Sequence, residues 1–146
     1  MFSQEQWGQL LANFIEEAKE LIQQAEAALL ELDDGHEDLE LLNGLFRAVH
    51  TLKGSAGLFA LDDFVAFTHH QESLIMRVRD NGNSLSREQI SALLSGLDIL
   101  SHELELLSSG SSPSPLLEQH AAQFAPLQSL VPPDANAASV PMCEPE

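Results

Sequence analysis

Basic residues are scarce in this chain: six Lys and Arg stand against 23 Asp and Glu among 146 residues, for a formal net charge of -17 at pH 7. Nucleic acids and anionic membrane surfaces reward clustered Lys and Arg, so neither is an expected partner. Cysteine is represented by Cys143 alone, which excludes an internal disulfide and gives no sign of an oxidising compartment; a reducing cytoplasm is the expectation. No segment approaches the roughly 20 apolar residues of a membrane span. The opening Met-Phe-Ser-Gln-Glu-Gln also lacks the basic start and apolar run of a signal peptide. Strand-like alternation of a length comparable to the helical stretches is missing. What is present is hydrophobic material, 44% of the residues, enough for one substantial core and a tail.

That material is spaced for helices. Ser3 and Gln6 form a capping-box pattern, after which Trp7, Leu11, Phe14, Ala18, Leu21, Ala25 and Ala28 recur at alternating four- and three-residue steps, to an end near Asp33-Asp34-Gly35. A second helix carries Leu42, Leu45, Val49, Leu52 and Ala56 and stops at Gly57. A third, capped by Asp62 or Asp63, carries Phe64, Phe67, Leu74 and Val78, with Gln71 interrupting the seam, and ends at Asn81-Gly82-Asn83. Ser86 and Gln89 open a fourth over Ile90, Leu93, Leu97, Leu100 and Leu104. After the break Gly110 to Pro115, Ser114 as cap and Pro115 at the first helical position predict a short fifth helix over Leu117, His120 and Phe124, closed by Pro126. The expected fold is all-α: an up-and-down four-helix bundle with a short fifth helix over residues 1–130, and a Pro/Ala/Ser-rich linker or disordered tail over 131–146.

The chemistry concentrates around His50. Val49 and Leu52 share the buried stripe, whereas His50, Lys53, Gly54 and Gly57 follow a second stripe at i, i+3, i+4, i+7, which displays the imidazole. Gly54 and Gly57 leave that display unobstructed. An ordinary surface histidine is the bland reading, and partners weigh against it. On the third helix His69 and Glu72 share one face, extended by Met76 and Arg79, and in an antiparallel pair that face meets His50. A carboxylate accepting from Nδ1–H would fix the tautomer and leave Nε2 unprotonated and outward, which prepares a nucleophile. Charge is distributed to suit: residues 47–87 net +1, whereas residues 1–46 net -10 and residues 88–146 net -8. Lys53, one turn from His50, would offset part of the ~2 negative charges of a phosphorylated ring.

These residues resemble the histidine phosphotransfer domain, in particular the N-terminal phosphotransfer domain of CheA-type chemotaxis histidine kinases. The shared elements are His50-Thr-Leu-Lys53-Gly54, the run Leu45-Phe-Arg-Ala-Val-His50, and Phe67-Thr-His-His-Gln-Glu72 with Val78-Arg79. The resemblance covers residues 1–130 as a helical pattern and is specific over 45–80. It implies that His50 is phosphorylated on Nε2, with Glu72 hydrogen-bonded to its Nδ1, Lys53 beside the phosphoryl group and His69 behind them. It implies two partners: a histidine kinase catalytic domain that delivers the γ-phosphoryl of ATP, and a response-regulator receiver whose aspartate removes it. ATP and magnesium would belong to those partners, leaving this chain a monomeric carrier without cofactor and without catalysis of its own. Such kinases continue into further domains, so an N-terminal fragment of one is the expectation and a free-standing phosphotransfer protein the alternative. Accordingly the chain has no Gly-rich nucleotide loop.

Other classes fit less well. A metal-binding bundle could draw on His50, His69, His70 and Glu72, but the Glu-x-x-His of di-iron bundles does not occur. A helical adaptor without chemistry would share the amphipathic faces and assign nothing to His50. A hydrolase lacks Gly-x-Ser-x-Gly, His-Glu-x-x-His and a cysteine outside the tail.

Overall fold

The computed structural model describes residues 3–34, 39–82 and 84–119, and among these every regular element is helical. Four long helices, α1 (Gln4–Asp33), α2 (Leu39–Gly57), α3 (Asp62–Asp80) and α4 (Arg87–Ser108), are followed by a single turn, α5 (Leu116–Gln119). The two capping boxes form as their spacing predicts. Ser3 Oγ accepts the Gln6 N–H at 3.1 Å while the Ser3 N–H donates to Gln6 Oε1 at 2.9 Å, and Ser86 and Gln89 repeat the exchange at 3.1 and 2.8 Å. Each box satisfies two N–H groups that a helix start otherwise leaves without partners.

Short connections turn each of the long helices back on its predecessor. α2 packs on α1 and α3, α1 on α4, and α3 on α4 and α5, which closes the expected up-and-down bundle around one core. The heptad positions of α4, from Ile90 to Leu104, are all buried, as are Leu42, Leu45, Val49, Leu52 and Ala56 of α2. On α1 the buried stripe runs through Phe14, Ala18, Ile22, Ala25 and Leu29, whereas Leu21 and Ala28 are only partly buried. A reading in steps of 3.5 residues drifts from a straight helix of 3.6 by about 20° per heptad, so over 30 residues the stripe moves by one position.

Two helix starts differ from expectation. α3 begins after Leu61, not after an aspartate cap; Asp62 and Asp63 occupy its first turn, where their carboxylates face the positive end of the helix. Leu61 is 4% exposed, and core burial places the start of the helix where a side-chain cap is lacking. The preceding turn is made by Ala60 at φ 55°, the one non-glycine residue in the left-handed region among those described. α5 begins at Leu116, one residue after Pro115, and Ser114 is held through its backbone: its N–H donates to Glu103 Oε2 at 2.9 Å. Glu103 is itself buried. His120, Phe124, Pro126 and the predicted tail 131–146 lie outside the described residues.

Gln71, the polar break in the α3 seam, is fully buried, and its Nε2 donates to the Leu93 carbonyl of α4 at 3.4 Å. Gly96 of α4 makes room for it. A Cβ there would stand 2.4 Å from Gln71 Nε2 and 3.0 Å from Phe67 Cε1.

Candidate functional site

Helix geometry brings the site together. His50 lies about two turns before the end of α2 and Glu72 about three turns after the start of α3, so a tight turn between antiparallel neighbours sets them at similar heights. His50 Nδ1 is hydrogen-bonded to Glu72 Oε2. Lys53, one turn further along α2, donates from Nζ to Glu72 Oε1 at 2.6 Å. His69 Nδ1 lies 3.7 Å from the same Oε1. Glu72 is therefore the hub, its two oxygens divided between two side chains of α2, with a third side chain of α3 at the rim.

Burial differs sharply across these groups. The Glu72 side chain is 8% exposed, that of Lys53 24% and that of His50 61%. Burial pushes the Glu72 carboxyl up, but hydrogen bonds from Lys53 and His50, with their charges, outweigh it and hold the group below its ordinary carboxylate value. An ionised carboxylate only accepts, so the bond to His50 requires the proton on Nδ1. Nε2 lies across the ring from Glu72 on this exposed side chain, and carries the lone pair whenever the imidazole is neutral.

The expected residues are thus gathered: His50, Lys53, His69 and Glu72 form one contiguous cluster. Gly54 and Gly57 continue the same face of α2, and a Cβ at either would meet nothing within 4 Å. The molecule's own packing accordingly places no demand for glycine at these positions. The His70 ring meets that of His69 edge-on at 5.9 Å, and burial, then the charge of His69, lowers its pKa. Among the described residues no group of three or more His, Cys, Asp or Glu side chains is arranged to hold a metal ion, and no helix is long and apolar enough to cross a membrane.

Two further side chains belong to the site: Phe46, to which the sequence assigned no role, and Arg79, expected on the His69 and Glu72 face but not against an aromatic ring. Phe46, one turn before His50, stacks on the imidazole with centroids 5.8 Å apart and planes inclined by 13°. Arg79 of α3 lays its guanidinium 4.4 Å from the centre of the Phe46 ring. The i, i+4 spacing of Phe46 and His50 carried the first contact in sequence; the second depends on the register between α2 and α3.

Comparison with known proteins agrees with this geometry. The family model described as the Hpt domain matches residues 9–114. The chemotaxis protein CheA of Rhizobium meliloti (strain 1021) is 40% identical over 87 residues, 60% of this chain and 12% of that protein. CheA of Klebsiella aerogenes is 37% identical over 100 residues, covering 68% of this chain and 15% of the relative. The chain thus spans only about an eighth of the length of the first of these relatives. Among solved structures, the phosphorylated P1 domain of CheA3 from R. sphaeroides, in complex with CheY6, superposes with a TM-score of 0.76 at 29% identity, covering 84% of this chain and 95% of that one. The CheA phosphotransferase domain from Thermotoga maritima gives 0.66 at 29% identity, covering 73% and 99%. An exposed imidazole held through Nδ1, in a helical bundle of this shape and sequence, leads to one assignment: the chain belongs to the Hpt domain family, as a phosphotransfer domain of the CheA kind.

Proposed function

We propose that His50 is the phosphoryl carrier, accepting the γ-phosphoryl of ATP from a histidine kinase catalytic domain and passing it to a receiver aspartate. The observation that supports this best is the division of the ring: Nδ1 is engaged by a buried, ionised Glu72, and Nε2 lies on the accessible side. In the first transfer the Nε2 lone pair attacks the γ-phosphorus, the Nε2–P bond forms, and the bond to the bridging oxygen breaks, with ADP as leaving group. Because Nδ1 keeps its proton, attack leaves positive charge on the imidazole, and the Glu72 carboxylate stabilises it as it develops. In the second transfer a carboxylate oxygen of the receiver attacks phosphorus, an O–P bond forms, and the Nε2–P bonding pair returns to nitrogen.

Lys53 has two tasks in this account. Its hydrogen bond holds Glu72 ionised, and its ammonium, one turn from His50, offsets part of the charge brought by the phosphoryl group. His69 lines the rim of the same carboxylate. Gly54 and Gly57 keep the face beside His50 low enough for another protein to bring its phosphorus or its aspartate to Nε2. Magnesium and ATP stay with the partners, and the domain itself is a carrier in the cytoplasm, not a catalyst. The relative solved in complex with CheY6 supports a receiver as the acceptor.

The test is labelling in trans. With ATP and a CheA-type kinase core the chain acquires an acid-labile, base-stable phosphoryl group, His50→Gln acquires none, and added receiver domains drain the label. Equal labelling of His50→Gln would overturn the assignment.

A further inference from the structure

We propose that Phe46, braced by Arg79, is a positioning residue that fixes the plane of the His50 ring and so decides which imidazole nitrogen is offered for transfer; this rests on the phosphotransfer reading above. The difficulty it addresses is rotational. At 61% exposure the imidazole has little packing of its own, and a half-turn about its Cβ–Cγ bond exchanges Nδ1 with Cδ2. That rotation removes Nδ1–H from Glu72 and carries Nε2 away from its outward position. One hydrogen bond to one carboxylate oxygen resists the rotation, and a flat neighbour resists it independently.

Phe46 is that neighbour. It lies one turn before His50 on the same face of α2, with its ring 13° from parallel to the imidazole, and an imidazole leaving its plane must pass through an orientation edge-on to the Phe46 face. Phe46 is only half-buried and itself needs support, which Arg79 supplies from α3 with its guanidinium 4.4 Å from the ring centre. The guanidinium is held in turn by Asp80, whose Oδ1 lies 3.4 Å from Arg79 Nε. The sequence Asp80, Arg79, Phe46, His50 thus joins the two helices against the flat face of the imidazole, whereas Glu72 engages its Nδ1 edge. Rotation is constrained by a stack as well as by a charge pair.

The decisive readouts are the His50 tautomer and the split between turnover and binding. In the unphosphorylated full chain, long-range proton–nitrogen spectra should show a single Nδ1–H tautomer for wild type and averaged nitrogen shifts for Phe46→Ala. With a CheA-type kinase core in trans, Phe46→Ala should lower kcat about fivefold, the size of effect that an aromatic pair of this kind commands, with KM for the chain within about twofold. Phe46→Tyr should restore both, and Arg79→Gln should fall between. Phe46→Leu keeps the apolar bulk without the flat face, so it should behave as Phe46→Ala does and decides the matter if the alanine variant unfolds. A wild-type tautomer and rate in both Phe46→Ala and Phe46→Leu would overturn the proposal, as would a raised KM at unchanged kcat, which would make Phe46 a docking residue. Failure of the wild-type chain to accept phosphoryl would instead remove the phosphotransfer reading, while the tautomer spectra still judge the role of Phe46.

Discussion

Glu72→Gln isolates charge from shape at the hub of the site. The side chain keeps its volume in a pocket where it is 8% exposed, and its amide oxygen still accepts from His50 Nδ1. What is lost is the charge-assisted character of that bond, together with the anion facing Lys53, whose Nζ would meet either a neutral oxygen or an NH2 group. A hydrogen bond to a charged group is worth about 1–2 kcal/mol more than a neutral one, and this difference applies to the transition state, where positive charge builds on the ring. The phosphorylation rate should therefore fall roughly five- to thirtyfold. Stability should change far less, because two effects oppose each other. Burial disfavours the ionised carboxyl while Lys53 and His50 favour it, and their hydrogen bonds prevail by a margin sufficient to lower its pKa. Removing the charge forfeits that surplus and relieves the burial penalty together, so a small decrease in Tm is expected, with helical content unchanged. Single-turnover labelling with a kinase core, alongside circular dichroism, measures both. Wild-type labelling kinetics in a folded Glu72→Gln chain would refute the assignment of Glu72 to His50.

Other expectations address the fold and its response to pH. Glu72 has a folded-state pKa below its unfolded one, so its stabilisation is complete above the unfolded carboxylate pKa and is lost as pH falls through the depressed folded value. His70 is also lowered in the folded state, so the unfolded chain binds more protons as pH drops below the ordinary histidine value and stability falls there too; denaturation midpoints followed from pH 8 down to about pH 2 should show both declines, and His70→Gln should remove only the upper one. Gly96→Ala drives a Cβ into Gln71 Nε2 and Phe67 and should cost about 1–3 kcal/mol of stability by overpacking; a Tm at or above wild type would mean that Gln71 moves aside freely. Ser86→Ala removes the side-chain half of the α4 capping box and should cost about 1 kcal/mol by urea denaturation, with labelling at His50 unaltered.

Much of the architecture was legible in sequence because it rests on local periodicity. The stripes of α2 and α4 are buried as spaced, and both Ser-x-x-Gln boxes close because they involve only residues three apart. His50 is displayed because it lies one position off the stripe containing Val49, and its partnership with Glu72 follows from the antiparallel pairing of α2 and α3. What could not be read depends on packing between helices. Arg79 extends the His69 and Glu72 face on paper, yet its contact is with Phe46 across the helix pair. Gln71 reads as a flaw in a seam until Gly96 of α4 is set opposite it. Leu61 starts α3 without a side-chain cap because core burial determined the junction, and Glu103 secures Ser114 across 11 residues in a way no spacing rule anticipates.

The central claim is that Nε2 of His50 carries the phosphoryl group while Nδ1 stays bound to Glu72. Phosphorylating histidine-15N-labelled chain with ATP and a CheA-type kinase core, then recording phosphorus–nitrogen couplings, tests it directly. The account predicts a single phosphorus resonance coupled to Nε2 of His50, with Nδ1 still protonated; coupling to Nδ1, or to any nitrogen of His69 or His70, would contradict it.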